Sequence, residues 1–286
     1  MDKTVIIMNP AAKGEKALRQ REAIESFAEG TEIRLTACAG DAREIAAAAV
    51  AEGCTTIVAA GGDGTINEVV NGMAGSQARL GILPAGTMNV LATELGLPVK
   101  ELPKCWEIIR KSNVRELDLP KANDRYFVQL AGVGLDAQVV QETDPEIRKN
   151  WGPLSYIFSI AQIAARTPPK LYIESPGAPT RTGSFVLIGN GKYYGGPFHA
   201  FADARVDDGR FDVLVFKGLG YLDIIRYGQT LLFGKLSDLP DIDYFQTDRL
   251  EVHSPEQVPV EVDGEVIIEA PVTFRLSRHK LRVIVP

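Results

Sequence analysis

Cysteine is scarce in this chain: Cys38, Cys54 and Cys105 form an odd set, and none stands in a CxxC pair. That excludes a disulfide framework and a cysteine-built zinc site, and makes the cytoplasm the expected compartment. Histidine is equally sparse. His199, His253 and His279 share no ligand spacing, which argues against a histidine-built catalytic or metal centre. Long hydrophobic runs are missing as well. Val5 to Met8 is too short for the apolar region of a signal peptide, and no stretch approaches the roughly 20 apolar residues of a membrane span. The most membrane-like piece, Tyr156 to Ala165 ahead of Arg166, has the length of a buried helix. There is no excess of positive charge: 31 Lys and Arg stand against 37 Asp and Glu. A chain of that balance has no sequence-independent attraction to phosphate backbones, so no nucleic-acid partner is expected. Neither an internal repeat nor a low-complexity tract interrupts it.

What the chain does have is material for a sizeable core, with 45% hydrophobic residues over 286 positions, a length suited to two domains. Up to about Lys121, runs of β-formers alternate with helical stretches: Thr4 to Met8 then Glu15 to Glu29, Glu32 to Thr36 then Asp41 to Ala51, Thr55 to Ala60 then Thr65 to Met73. This rhythm predicts an α/β domain over residues 1–122 with a mostly parallel sheet, whose ligand would bind in the loops after the strands. Asp41 to Glu44 and Thr65 to Glu68 both fit a capping box. Beyond about Asn123 the runs become longer and β-like, including Tyr126 to Ala131, Gly183 to Gly189, Phe211 to Phe216, Pro259 to Val262 and Leu281 to Val285. Helical reading survives at Leu154 to Arg166 and Tyr221 to Phe233. Residues 123–286 therefore read as a mainly antiparallel β domain, with a last strand able to return to the first domain and an active site expected in the interdomain cleft.

The feature richest in chemistry is Ile57 to Glu68, a buried-type strand that runs through Gly61-Gly62-Asp63-Gly64-Thr65 into a helix. Glycines admit close backbone approach, and the amides of a helix start offer donors and partial positive charge, so the segment suits a phosphate. Asp63 is the odd member. A carboxylate beside phosphates is repulsive unless a metal ion or a transferable proton lies between them. The segment lacks the lysine of a P-loop and the third glycine of a dinucleotide fingerprint. Gly132-Val133-Gly134-Leu135-Asp136-Ala137 fits the looser GxGxxA form, but no acidic residue follows at the distance that ribose recognition needs, and it reads as a glycine-rich turn. A second loop, Gly81 to Asn89, repeats the order of strand, glycine, threonine and helix. Asn9 to Gly14, and Thr36 ahead of Gly40-Asp41, also follow strands. Asp207-Asp208-Gly209 and Val262-Asp263-Gly264-Glu265 read, by themselves, as turns between strands.

Together these segments resemble the diacylglycerol kinase catalytic family, in particular its soluble bacterial lipid kinases, related to sphingosine and ceramide kinases. The resemblance rests on the Asn9-Pro10 loop, Gly61 to Thr65 followed by Asn67 to Gly72, Leu83 to Asn89, Gly195-Gly196, Asp207 to Asp212, and Val262 to Glu265. It implies ATP as phosphate donor, held by Asn9, Pro10, Ala11, Ala12, Lys13, Thr36, Gly62, Asp63, Gly64, Thr65, Ile66, Asn67, Glu68 and Thr87. It implies Glu265 as the general base for a substrate hydroxyl, with Asp63 near the transferred phosphate and its Mg²⁺ and as the other candidate proton acceptor. It further implies a Mg²⁺ held by Asp208 with the backbone carbonyls of Arg205 and Arg210. The chain departs from the family where Lys13 replaces a serine and where Pro197 and Ala202 replace a glycine and a proline. The expected partner is a membrane lipid, most simply diacylglycerol, reached by transient peripheral contact, with Arg148, Lys149, Arg166 and Lys170 able to flank the apolar Tyr156 to Ala165 segment; a homodimer is compatible with this. An NAD kinase-like enzyme and a non-catalytic nucleotide-binding regulator are the alternatives.

Overall fold

Short runs of β-branched and small apolar residues, too brief for helices and separated by longer amphipathic stretches, build the first sheet. The computed structural model describes residues 3–10, 15–142 and 167–286, and the chain divides into two units, 1–119 with 195–197 and 277–286, and 120–194 with 198–276. The first unit runs β1 (Thr4–Met8), α1 (Glu15–Phe27), β2 (Glu32–Leu35), α2 (Asp41–Ala51), β3 (Thr56–Gly61), α3 (Asp63–Met73), β4 (Arg79–Pro84), α4 (Val90–Glu94), α5 (Leu102–Lys111) and β5 (Val114–Leu117).

The second unit contributes β6 (Pro120–Ala122), β7 (Arg125–Tyr126), β8 (Leu130–Val133), α6 (Leu135–Glu142), β9 (Leu171–Glu174), β10 (Arg181–Gly183), β11 (Phe185–Gly189), β12 (Tyr193–Tyr194), β13 (Phe198–His199), β14 (Phe211–Phe216), α7 (Tyr221–Phe233), β15 (Ile242–Thr247), β16 (Arg249–His253), β17 (Pro259–Val262), β18 (Glu265–Glu269) and β19 (Val272–Leu276). The chain ends on β20 (Leu281–Ile284), which joins the first sheet in the order β2-β1-β3-β4-β20-β5.

All pairings in the first sheet are parallel except β20 with β5. β3 is buried along its whole length, as expected of a parallel strand covered on both faces. Because β1 to β4 run the same way, their carboxyl ends and the loops that follow lie along one edge. The order reverses between β1 and β3, which opens a crevice at that edge.

The second unit holds two six-stranded antiparallel sheets, β10-β9-β16-β19-β6-β7 and β15-β14-β11-β8-β17-β18, and the small hairpin β12-β13. Alternation along β14 sorts its side chains between two cores. Phe211, Val213 and Val215 pack with Leu250, Val252 and Phe274 of the facing sheet, whereas Leu214 and Phe216 pack with Leu135 and Val139 of α6 and Tyr227 of α7. Each such side chain contributes roughly 1.5–3 kcal/mol on full burial.

Two local expectations are corrected. Neither capping box forms. Asp41 turns its carboxylate back to accept from the amides of Ala37 (2.6 Å) and Cys38 (2.9 Å), and Glu68 of α3 takes over at the start of α2, accepting from Gly40 N and Ala42 N at 3.0 Å each. α3 itself begins at Asp63, so Thr65 lies inside it. The run Tyr126 to Ala131 is not one strand either: the amides of Val128, Gln129 and Leu130 all donate to the Asp263 carboxylate, and the strand β8 begins only at Leu130. Among the described residues no helix is long and apolar enough to cross a membrane. Tyr156 to Ala165, with Arg148, Lys149 and Arg166, lies outside the described residues, as does the helical reading of Leu154 to Arg166.

Candidate active site

The loops at the crevice of the first unit are locked to one another by backbone and short polar side chains. Asn9 follows β1; its amide donates to Ala60 O (3.1 Å) and its Nδ2 to Thr65 Oγ1 (3.2 Å). Thr36 follows β2, is buried, and donates its amide to Met8 O at 3.0 Å. The loops after β3 and β4 touch through glycine. A Cβ on Gly86 would stand 2.4 Å from Gly62 Cα, so only glycine permits this approach. Asn89, in the left-handed region at φ 49°, ties its own loop: its Oδ1 accepts from Gly86 N (3.0 Å) and its Nδ2 donates to Gly86 O (2.9 Å).

Asp63, the first residue of α3, holds the two loops in register. Its Oδ1 accepts from Val90 N, the leading amide of α4, at 2.7 Å. Burial raises its carboxyl above the usual carboxylate range, and the amides of Val90, Asn89 and Leu91 pull it back. The second helix start thus turns its first amide to Asp63. Gly64 and Thr87 are exposed, and nothing lies within 4 Å of a Cβ placed on Gly64; this is the open surface on which a phosphate can rest against the first-turn amides of α3.

The remaining nucleotide candidates are less free. Ile66 is fully buried and its amide donates to Gly62 O (3.1 Å). Asn67 is buried with its Oδ1 accepting from Asn71 (3.0 Å), and Glu68 caps α2. Pro10 continues the β1 loop, partly buried. Ala11, Ala12 and Lys13 lie outside the described residues.

In the second unit the Asp-Gly sequence makes a tight turn between β17 and β18, with Asp263 at φ 46° and Gly264 at φ 84°. Asp263 is the anchor of this turn. Its carboxylate accepts from three consecutive amides, Val128 (2.8 Å), Gln129 (3.0 Å) and Leu130 (3.1 Å), and its amide donates to Leu130 O (2.8 Å). Glu265 emerges from the turn 61% exposed, its Oε2 accepting from Arg125 at 2.7 Å. A carboxylate with a rigid base, solvent access and one cationic neighbour can be aimed at a hydroxyl.

Arg205, Asp208 and Arg210 lie in the exposed loop before β14. Asp208 Oδ1 accepts from Arg210 N (3.1 Å), while Arg205 pairs its side chain with Asp207 at 3.7 Å. Among the described residues no three His, Cys, Asp or Glu side chains converge as a metal centre. One carboxylate with carbonyls is nonetheless a hard-oxygen set suited to a partly hydrated Mg²⁺. The surroundings are acidic: Asp212 is raised chiefly by burial and further by Asp208 and Asp203.

Three polar features escaped sequence reasoning. Arg125 meets Glu265 across 140 positions of chain, Lys280 reaches the buried Asp118, and Asp136 of the glycine-rich turn meets Glu261. Only Asp136 carried a local signal, as a carboxylate inside a GxGxxA run.

The comparisons with known proteins cover both units. Residues 3–122 match the model of the diacylglycerol kinase catalytic domain, and residues 129–285 that of the YegS C-terminal NAD kinase beta sandwich-like domain. A diacylglycerol kinase of Bacillus subtilis (strain 168) is 30% identical over 100% of this chain and 97% of its own. A Pseudomonas aeruginosa (strain PAO1) protein named "Probable lipid kinase YegS-like" is 30% identical over 100% of this chain and 95% of its own. A crystal structure described as a diacylglycerol kinase from Bacillus anthracis str. Sterne superposes with a TM-score of 0.81 at 25% identity, over 100% of this chain and 97% of that one. The parallel α/β unit with its glycine loops, the antiparallel β unit with its Asp-Gly-Glu turn, and these matches agree, and the chain belongs to the diacylglycerol kinase catalytic family of lipid kinases.

Proposed function

We propose that this protein transfers the γ-phosphate of ATP to a lipid hydroxyl, with diacylglycerol as acceptor and phosphatidic acid as product. The observation that carries the reading is Asp63, a half-buried carboxylate set among glycines at a helix start, where a phosphate would sit against amides. The acceptor oxygen forms a bond to the γ-phosphorus as the bond to the β-bridging oxygen breaks, ADP leaves, and the hydroxyl proton passes to Glu265. Such transfer needs positioning and charge dispersal more than covalent help. In this reading Gly62, Gly64, Thr65 and Thr87 cradle phosphate, with Asn9 and Thr36 shaping the adjoining loops. A Mg²⁺ would supply charge neutralisation when bound; Asp63 is the residue for it beside the phosphate, and Asp208 with the carbonyls of Arg205 and Arg210 for a structural ion.

The membrane lipid would be reached by transient, salt-sensitive contact at the bilayer surface. A second reading, phosphorylation of NAD, is favoured by the NAD kinase-like description of the β domain. The test offers diacylglycerol, a sphingoid base, phosphatidylglycerol and NAD in parallel, with labelled ATP, Mg²⁺ and mixed micelles. Labelling of diacylglycerol is expected. Labelling of NAD alone rejects the lipid reading, and ATP binding without labelling of any acceptor leaves a nucleotide-binding regulator.

A further inference from the structure

Beneath the Asp-Gly-Glu turn lies an acidic pair that the proposed chemistry does not use. Glu261, on β17, is fully buried. Its Oε2 accepts from Gly264 N at 2.8 Å, whereas its Oε1 is buried and receives no hydrogen bond. The group against it is the carboxyl of Asp136, on α6. Asp136 in turn accepts a short bond from the Tyr194 hydroxyl of β12. Both carboxyls lean on Gly132, where an added Cβ would come within 3.0 Å of Asp136 Oδ2 and of Glu261 Oε1. A glycine in β8 therefore makes the space in which they meet.

Among the described residues no cation is found against this pair. The elements in closest contact with α6 are β8, β11, β17 and β18. Leu135 and Val139 also pack on β14 and α7, whose charged residues are engaged elsewhere: Asp212 accepts from Tyr244, and Arg226 pairs with Asp223 and Asp241. β8 and β11 carry no charged residue, β17 carries Glu261 alone, and β18 carries Glu265 and Glu269 at its ends. Asp263 adds a further negative charge beside Glu261, and the Arg125 guanidinium bonds to Glu265. Two touching carboxylates without a counter-ion cannot both stay ionised in a desolvated place; one proton between them satisfies the vacant oxygen and cancels the repulsion. The chain of contacts then runs from the Tyr194 hydroxyl through Asp136, the proton and Glu261 to the Gly264 amide, one residue before Glu265.

We propose that Glu261 is a positioning residue for Glu265, holding the Asp263-Gly264-Glu265 turn through the Gly264 amide by means of a proton that it shares with Asp136. The proposal rests on the kinase reading only for the role of Glu265; the shared proton and the held turn do not depend on it. Burial, and then the Asp136 charge, raise Glu261 well above the usual carboxylate range, and burial raises Asp136 too. The folded protein therefore binds this proton more tightly than the unfolded chain does. Its contribution to stability is complete below the unfolded carboxyl range and is lost as pH rises through the elevated folded value. Above that point the two charges repel, Glu261 releases Gly264, and the turn loosens.

Glu261→Gln reproduces the protonated state, since an amide can donate to Asp136 and accept from Gly264, with no proton to lose. Glu261→Ala removes the Gly264 acceptor. Three measurements on the full chain decide the matter. Melting temperature against pH should fall for wild type relative to Glu261→Gln as pH rises; parallel curves overturn the shared proton. Exchange of the Gly264 amide, corrected for its intrinsic pH dependence, should accelerate at least about tenfold in wild type at high pH and in Glu261→Ala at all pH, but not in Glu261→Gln; equal protection in all three overturns the held turn. With ATP and diacylglycerol, Glu261→Ala should lower kcat at least about tenfold with KM for ATP within about threefold, while Glu261→Gln keeps kcat and loses the alkaline decline. An unchanged alkaline decline in Glu261→Gln overturns the positioning role. If no acceptor is phosphorylated by wild type, the kinase reading fails by itself, and the melting and exchange curves still decide the pair.

Discussion

Asp63→Asn separates chemistry from architecture, because the proposed chemistry and the observed loop contact both rest on the same carboxylate. Its structural part is the bond from Val90 N at 2.7 Å. A hydrogen bond to a charged acceptor contributes about 1.5–3 kcal/mol and a neutral one about 0.5–1.5, so an asparagine that presents its Oδ1 to Val90 forfeits about 1 kcal/mol. It also removes a charge that burial disfavours, which acts in the opposite direction. The net change in stability is expected within about 1 kcal/mol, a few degrees of melting temperature for a protein of this size. Its pH dependence has a defined sign. With its carboxyl raised in the folded state, Asp63 costs stability as pH climbs from the ordinary carboxylate range through the folded value, and Asp63→Asn should remove that acid-range slope.

The chemical part is larger. If Asp63 manages the γ-phosphate and its metal as proposed, loss of its charge is expected to lower phosphoryl transfer at least about tenfold, or about 1.4 kcal/mol of transition-state stabilisation. Asp63→Ala serves as the contrast, since it strands the Val90 amide at about 1–3 kcal/mol and should lose stability as well as activity. The assay pairs melting curves with initial rates at saturating ATP. Activity of Asp63→Asn within about twofold of wild type, with melting nearly unchanged, would show that Asp63 only caps α4, and the reasoning fails.

Other outcomes follow from the same geometry. Glu265→Gln should keep ATP affinity within a few-fold while kcat drops roughly 10²–10⁴-fold, and its lost ion pair with Arg125 should move melting little, because the carboxylate is 61% exposed and such pairs contribute about 0–1 kcal/mol; surviving kcat would hand the base role to Asp63. Gly86→Ala forces a Cβ to 2.4 Å from Gly62 Cα, so destabilisation of about 1–3 kcal/mol and weaker ATP binding are expected, read by melting and nucleotide titration; wild-type values for both would mean the two loops separate freely. Mg²⁺ is expected to raise the melting temperature of wild type and Asp208→Ala to abolish that rise, and an identical rise in both would remove Asp208 from a metal site.

Much of this protein was legible along the chain because its signals are local. α2, α7, β14 and β17 fall where periodicity drew them, since alternation and helical spacing report which face each residue will bury. The same holds for the place of the glycine loop after β3, which is written in consecutive residues. What sequence could not decide were contacts between carboxylates and backbone amides far away in the chain. Thr65 and Glu68 have the spacing of a capping box, yet α3 starts at Asp63 because that carboxylate is engaged by Val90, and Glu68 serves α2 instead. Tyr126 to Ala131 has the composition of one strand, yet three of its amides turn to Asp263, 133 to 135 positions away. Glu261 lies in a run that reads only as a strand before a turn, and it is the fold that buries it against Gly132 and Asp136. Periodicity fixes a side chain's face only where neighbours leave it no better partner; a buried carboxylate takes whichever amide or proton the folded chain brings within reach, and only the tertiary structure supplies that list of partners.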